Sequence, residues 1–273
     1  MRSYVMEDGR WCHKLHQSWL NTLTLCPERA RLEGVGLMPE LETDAASAGT
    51  AVHAAIETNL ESGGLSLEDM VSIARQSFQD AVDGPHFEWK KYTPDQVDAF
   101  MVSCLSNWVA HVEPTLMGLD IQTEVVFNLP LVDDDQRVIT LGGMMDVLCS
   151  TKVIDWKTNG SREYAEWEYK RWAVQPTMYT WAAHQLTGHT LPFEYVVMEK
   201  PSKRRPDGIH RFTVERGPED WSWLACQAVD AARLIELELD TWTKNDTHAL
   251  CSPKWCPAWM QCKGAYVGAA PNW

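Results

Sequence analysis

Apolar positions along the chain follow two periods, and the switch between them outlines a fold. Residues 17–32, 44–61, 66–82 and 94–112 carry apolar side chains at helical spacing, with Ser18, Ser66 and Thr93 placed as N-caps. The period then shortens. Residues 121–129 and 136–141 read as strands joined by the acidic turn Asp133-Asp134-Asp135, and residues 142–157 continue as a hairpin. Helical spacing returns over 163–185, where Pro176 imposes a kink or a restart near Val174-Gln175. A strand pair at 191–198 and 209–214 flanks a basic loop, and a long helix spans 218–243 before a Trp- and Cys-rich tail. No internal repeat or low-complexity linker interrupts this order. Helices, a strand meander, a helix, strands and a helix together predict an α/β or α+β sheet domain with helices attached on the N-terminal side.

The hairpin holds the densest chemistry. Asp155 and Lys157 are two apart, so on a strand they project from one face. With Ser150-Thr151 at the tip, Cys149 opposes Lys152 and, counting outward, Asp146 opposes Asp155. Cross-strand neighbours lie about 5 Å apart between β-carbons, and like charges there repel. A divalent cation would turn that repulsion into a binding site.

Charge and composition narrow the functions available. The 273 residues carry 24 basic and 38 acidic side chains, a formal net charge of −14. A uniformly acidic surface repels nucleic acid, which counts against a passive DNA-coating protein. It leaves room for a nuclease, which needs acidic metal ligands and can hold DNA in a local basic strip. Strip candidates are Lys90-Lys91, Lys170-Arg171 and the run at 200–205 containing Lys200, Lys203, Arg204 and Arg205; the plainer reading of that run is a solvated hairpin loop. No stretch approaches the roughly 20 apolar residues of a membrane span. Residues 1–11 are charged and lack a signal-peptide core, so a cytoplasmic location is expected. In that compartment the eight cysteines are not four disulfides.

Other candidates are weaker alone. His53 and Glu57 lie one turn apart on a helix slimmed by Ala51, Ala54 and Ala55. A histidine among alanines is commonly a packed residue, but with Asp146 and Asp155 nearby it reads as a ligand. Gln175 and Tyr179 share a helix face, as a surface patch or as groups beside the metal. Glu124 is a strand-edge charge in preference to a water-mediated ligand. Cys251, Cys256 and Cys262 fall within twelve residues, and Cys26 lies 225 residues before Cys251. Four thiolates fit an iron–sulfur cluster or a structural zinc. Cys104, Cys149 and Cys226 sit in apolar patterns and are expected in the core; Cys12 is left unassigned.

Taken together these residues resemble the RecB-like branch of the PD-(D/E)XK nuclease superfamily. In that branch a Gly-Thr-x-x-His-x-x-x-Glu helix precedes a Gly-x-x-Asp strand, an Asp-x-Lys-Thr strand and a Gln-x-x-x-Tyr helix. Here they occur in order as residues 49–57, 143–146, 155–158 and 175–179. The opening Ser18-x-x-Asn21 to Cys26-Pro27 segment and the terminal cysteines resemble its iron–sulfur exonucleases: CRISPR-associated RecB-like enzymes, the AddB nuclease domain and phage exonucleases. The likeness spans roughly residues 17–265. There are two departures. Four residues, where the family more often has two, separate Cys251 from Cys256, and residues 61–118 carry no family motif.

The resemblance implies one nuclease domain over 1–273, a mixed central sheet flanked by helices with an N-terminal helical portion. Residues 61–118 would be a helical insertion shaping substrate access, and the 251–262 tail would pair with Cys26 to bind a 4Fe–4S cluster, or less readily zinc, joining the termini. It implies Mg²⁺ or Mn²⁺ held by His53, Asp146, Asp155 and the Trp156 carbonyl. Lys157 would orient or deprotonate the attacking water, and Gln175 and Tyr179 would position the phosphate. The substrate would be DNA, as single strands or duplex ends, in recombination, repair or replication, with a protein of those processes as a partner and no membrane. A catalytically inactive DNA-end-binding scaffold is the alternative, but it has no reason to keep Asp146, Asp155 and Lys157 together. A zinc-stapled regulatory domain is favoured only by the acidic charge.

Overall fold

In the computed structural model, which describes residues 2–6, 8–38, 40–159, 174–199, 203–247 and 250–267, a mixed sheet separates two helical layers. Its strands are β1 (Arg2–Val5), β2 (Trp11–His16), β5 (Ile121–Asp133), β6 (Arg137–Cys149), β7 (Val153–Asn159), β8 (Phe193–Glu199) and β9 (Ile209–Val214). The order is β1-β2-β6-β7-β8-β9, with β5 also paired to β6. A parallel pair, β3 (Glu42–Thr43) and β4 (Phe87–Glu88), stands apart.

Strand β6 organises the site. Along one edge it runs antiparallel to β5 for almost its whole length. Its other edge is shared: residues 137–142 pair in parallel with β2, and residues 147–149 meet β7. Residues 143–146 therefore face a gap between β2 and β7, and that gap holds Gly143 and Asp146.

The helices are α1 (Gln17–Leu25), α2 (Pro27–Gly34), α3 (Asp44–Ser62), α4 (Leu67–Val82), α5 (Pro94–His111), α6 (Val174–Thr187), α7 (Pro218–Glu236) and α8 (Trp259–Val267). One core joins the sheet to α1, α6 and α7 through Leu15, Trp19, Met178, Phe193 and Leu224; the other joins it to α3–α5 through Val52, Ile56, Trp108, Ile154 and Trp156.

Several boundaries differ from those expected of the sequence. The helix over 17–32 is two helices, because Pro27 has no N–H to donate and Cys26 is extended at φ −157°. Ser18 does not cap it; His16 holds the N-cap position without a side-chain bond. Ser66 and Thr93 do cap α4 and α5, Thr93 in a reciprocal box with Gln96. The strand at 136–141 and the first arm of the hairpin are one strand, and α7 stops at Glu236, well short of residue 243. Helix α6 starts at Val174, where Pro176 sits in its first turn; the expected onset at 163 lies outside the described residues.

Glu28 ties α2 to the tail. Its carboxylate is 3% exposed and accepts from Arg31 at 2.8 and 2.9 Å and from the Trp242 N–H at 2.7 Å. Burial pushes this carboxyl up, but Arg31 and the Trp242 N–H more than offset it and hold it below the usual range. A depressed folded-state pKa contributes stability above pH about 4.5 that is lost as pH falls through the depressed value. Glu28→Gln should cost about 2–3 kcal/mol at neutral pH and much less in acid, as read by denaturant unfolding at both pH values.

Candidate active site

The hairpin forms in the expected register. Val147 pairs with Ile154 and Leu148 with Val153, and the Cys149 N–H donates to the Lys152 carbonyl at 3.0 Å. The ladder ends one pair short of Asp146 and Asp155. There the Asp146 carboxylate accepts directly from the Trp156 N–H at 2.7 Å, and His53 Nδ1 of α3 stands 3.5 Å from the same oxygen.

Asp155 is 2% exposed. Its Oδ1 accepts from Gln175 Nε2 of α6 at 2.7 Å, and Gln175 in turn accepts from the Tyr195 hydroxyl at 3.3 Å. Lys157 Nζ forms an ion pair with Asp155 Oδ2 at 2.6 Å. Burial, reinforced by the charge of Asp146, pushes the Asp155 carboxyl up to about 6 against the pull of Lys157. Asp146 goes the other way: burial raises it, but the His53 hydrogen bond and charge, Lys157 and the Trp156 N–H hold it below the ordinary value. Two neighbouring carboxyls with divergent affinities for protons suit a site built for a cation.

The side chains of His53, Asp146, Asp155, Lys157, Gln175 and Tyr179 all line one cavity of roughly 590 Å³ in the sheet gap. Among the described residues, no three His, Cys, Asp or Glu side chains already close on a single point. The candidate ligands surround the cavity; they do not meet at its centre. Lys14 and His16 from β2 and Asn128 from β5 complete the wall. These went unrecognised because β2 has no clean alternation to mark it as a strand, although Lys14 and His16 are two apart as strand neighbours must be.

Two glycines permit the arrangement. A Cβ on Gly49 would stand 2.9 Å from Thr158 Oγ1, so α3 approaches β7 closely enough to deliver His53. A Cβ on Gly143 would stand 2.7 Å from the Phe127 ring and 3.1 Å from that of Tyr179, whose own rings meet edge to face at 5.8 Å. Gly143→Ala should therefore cost about 1–3 kcal/mol by forcing these rings apart, measurable by denaturant unfolding.

Glu57, one turn beyond His53, is raised to about 7 by burial first and then by Glu124, with which it shares a hydrogen bond. Glu124 has φ 43° and sits opposite Asp146, between the Thr123–Val147 and Val125–Met145 pairs.

Cys26, Cys251, Cys256 and Cys262 line a second, small cavity with Arg29, Lys244 and Lys263. Burial lifts the Cys251 and Cys262 thiols, and Lys263 and Lys244 partly oppose it. The Asn245 amide donates to the Leu25 carbonyl at 2.7 Å and helps hold the tail against α1. Of the cysteines expected in the core, Cys104 and Cys149 are buried but Cys226 is exposed, because α7 turns Leu224, Ala228 and Ala231 inward and leaves residue 226 on its outer face.

Among the cationic candidates, Lys90, Lys91, Lys203 and Arg204 are exposed, whereas Arg205 is held by buried Glu199 at 2.7 Å. Lys170-Arg171 and Lys200 lie outside the described residues. Among the described residues no helix is long and apolar enough to cross a membrane.

This sheet, with its hairpin carboxylates and following lysine, corresponds to a recognised family. The model of the PD-(D/E)XK nuclease superfamily matches residues 14–263. The chain belongs to that superfamily. Among solved structures it is similar to a provisionally assigned exonuclease from Eubacterium rectale, with TM-score 0.55 and 11% identity over 88% of this chain and 87% of that one. Two further structures are more distant: SSO0001, with TM-score 0.42 and 15% identity over 95% and 86%, and LHK-Exo in complex with dAMP, with TM-score 0.29 and 12% identity over 71% and 91%. The likeness to the Eubacterium rectale structure is one of fold. No curated protein matches the chain in sequence.

Proposed function

We propose that this protein is a Mg²⁺- or Mn²⁺-dependent DNA exonuclease that hydrolyses phosphodiester bonds in single strands or at DNA ends. The observation that carries the reading is the buried Asp155 carboxylate, ion-paired to Lys157, in a cavity that also presents Asp146 and His53. Two buried carboxylates held close together are costly unless cationic charge balances them, and Lys157 supplies one positive charge to the pair. Hard oxygens and one imidazole suit Mg²⁺ or Mn²⁺.

Asp155, Asp146, His53 and the Trp156 carbonyl would hold the cation, which would supply Lewis acidity toward water and charge against the phosphate oxygens. The remaining roles belong to the chain. Lys157, paired with Asp155, orients the attacking water and offsets charge on the phosphate. Gln175 fixes Asp155 from behind, itself held by Tyr195, and Tyr179 closes the wall against which the phosphate rests.

The four cysteines would carry a structural 4Fe–4S cluster, with zinc as the less favoured occupant. Four thiolates around one cavity place net negative charge there, and Arg29, Lys244 and Lys263 in its wall complement that charge. Such a cluster would join the two ends of the chain, and hydrolysis needs no electron from it. The provisional assignment of the Eubacterium rectale structure as an exonuclease supports the exonucleolytic mode.

Calorimetric titration with Mn²⁺ tests the site directly. The wild type should bind one high-affinity equivalent that Asp155→Asn loses; equal binding by both would overturn the assignment.

A further inference from the structure

The loop between α4 and α5 presents Trp89-Lys90-Lys91-Tyr92 in sequence, outside the catalytic cavity. Trp89 leans edge-on against Phe78 and Phe87, at 5.8 and 5.2 Å between centroids, yet remains 43% exposed. Lys90 and Lys91 are exposed beside it, with Lys91 Nζ 4.8 Å from the Tyr92 ring centroid. Trp89 thus presents an exposed aromatic face beside two cations on a chain of net charge −14.

The loop is held in place. Asp44, fully buried, accepts from the backbone N–H groups of Lys90 at 3.0 Å, of Lys91 at 3.2 and 3.0 Å, and of Tyr92. Glu42 and Thr43 pair with Phe87 and Glu88 just before it. Asp44 opens α3, the helix that carries His53, so the loop is fixed relative to the catalytic cavity. Nine residues of helix separate Asp44 from His53, about 14 Å.

Direction follows from the sheet. Gly49 abuts Thr158, so the start of α3 reaches past the end of β7. Strands β7 and β8 are parallel and end together at the Asn159–Glu199 pair. Lys203 and Arg204, four and five residues beyond the end of β8, are exposed.

We propose that residues 89–92 are a stacking platform for single-stranded DNA, in which Trp89 takes one base and Lys90 and Lys91 contact phosphates of a strand whose other part occupies the catalytic cavity. The proposal rests on DNA being the substrate. Stacking on an aromatic face is tolerant of sequence and suits an enzyme that degrades strands of any composition. The Lys90–Glu88 pair, at 3.4 Å, is exposed and exchangeable for a phosphate.

The test is binding of fluorescein-labelled (dT)12 by fluorescence anisotropy in EDTA, where no cleavage occurs. Trp89→Ala should weaken binding roughly tenfold, and Trp89→Phe, which keeps an aromatic face, should restore most of it. The double variant Lys90→Ala/Lys91→Ala should reduce the slope of log K against log salt by about 1.4, the contribution of two phosphates on a single strand. Unchanged affinity and slope would overturn the platform and leave the loop a protein-docking surface. Equal losses in Trp89→Ala and Trp89→Phe would also overturn it, because packing and not stacking would then be at stake. Unchanged binding beside intact metal-dependent cleavage refutes the platform alone. The expected binding losses with no cleavage under any metal refute the nuclease reading and leave the platform standing.

Discussion

Asp155→Asn abolishes cleavage, with an expected loss of at least about 10³-fold in kcat, while the protein stays folded. The side chain is nearly inaccessible to bulk water and is held by Gln175 and Lys157, so no neighbour can take its place. An amide keeps the acceptor for Gln175 but removes the charge that a cation needs. Stability separates this effect from unfolding. In the metal-free wild type the carboxyl is raised to about 6 from an ordinary 3.8. A raised folded-state pKa contributes stability fully present below about pH 3.8 and lost as pH rises through about 6. The variant should therefore lose that segment of the pH–stability curve. Mn²⁺ should raise the melting temperature of the wild type and leave that of Asp155→Asn unmoved, since only a ligand that binds the native state shifts it. A variant that still cleaved DNA would sink the site.

Cys256→Ser is the second large effect. The protein purified without air should be coloured in the wild type and colourless in the variant, and the variant should melt much earlier. The cluster would link residue 26 to residues 251–262. By the chain-entropy relation for cross-links, a loop of some 225 residues is worth about 5 kcal/mol. Contacts such as Glu28 with Trp242 and Asn245 with Leu25 persist without a cluster, so the variant should still fold at low temperature. Iron analysis, visible absorption and thermal unfolding on both proteins decide it. A variant that kept both its colour and its melting temperature would refute the staple.

Much of the site was legible because its chemistry lies in short, local spacings. Asp155 and Lys157 are strand neighbours, Gln175 and Tyr179 are helix neighbours, and the hairpin register follows from a two-residue tip. Helices α3 to α5 were legible too, since Ser66, Thr93 and the alanine-rich face of α3 obey capping and periodicity rules. What escaped depends on distant partners. Strands β1 and β2 are short and mixed in polarity, and β2 is a strand because β6 offers it an edge over 100 residues later. Its residue His13 is buried in a network with Ser3 and Glu236 that no local pattern announces. The gap in the sheet arises only when β2 and β7 share one edge of β6, so Lys14, His16 and Tyr195 could not be recognised as site residues in advance. The break at Cys26-Pro27 splits the single helix expected over 17–32, and it places Cys26 beside the tail cysteines.

The most direct measurement is cleavage of 5′- and 3′-labelled single- and double-stranded DNA with Mg²⁺ or Mn²⁺, wild type beside Lys157→Ala. Lys157 lines the cavity at its open side, 36% exposed, so its removal leaves the fold intact. The account predicts metal-dependent shortening from DNA ends in the wild type, abolished by EDTA and by Lys157→Ala. If both proteins cleave alike, Lys157 has no part in the chemistry and the site assignment fails; if neither cleaves with either metal, the scaffold reading replaces the nuclease.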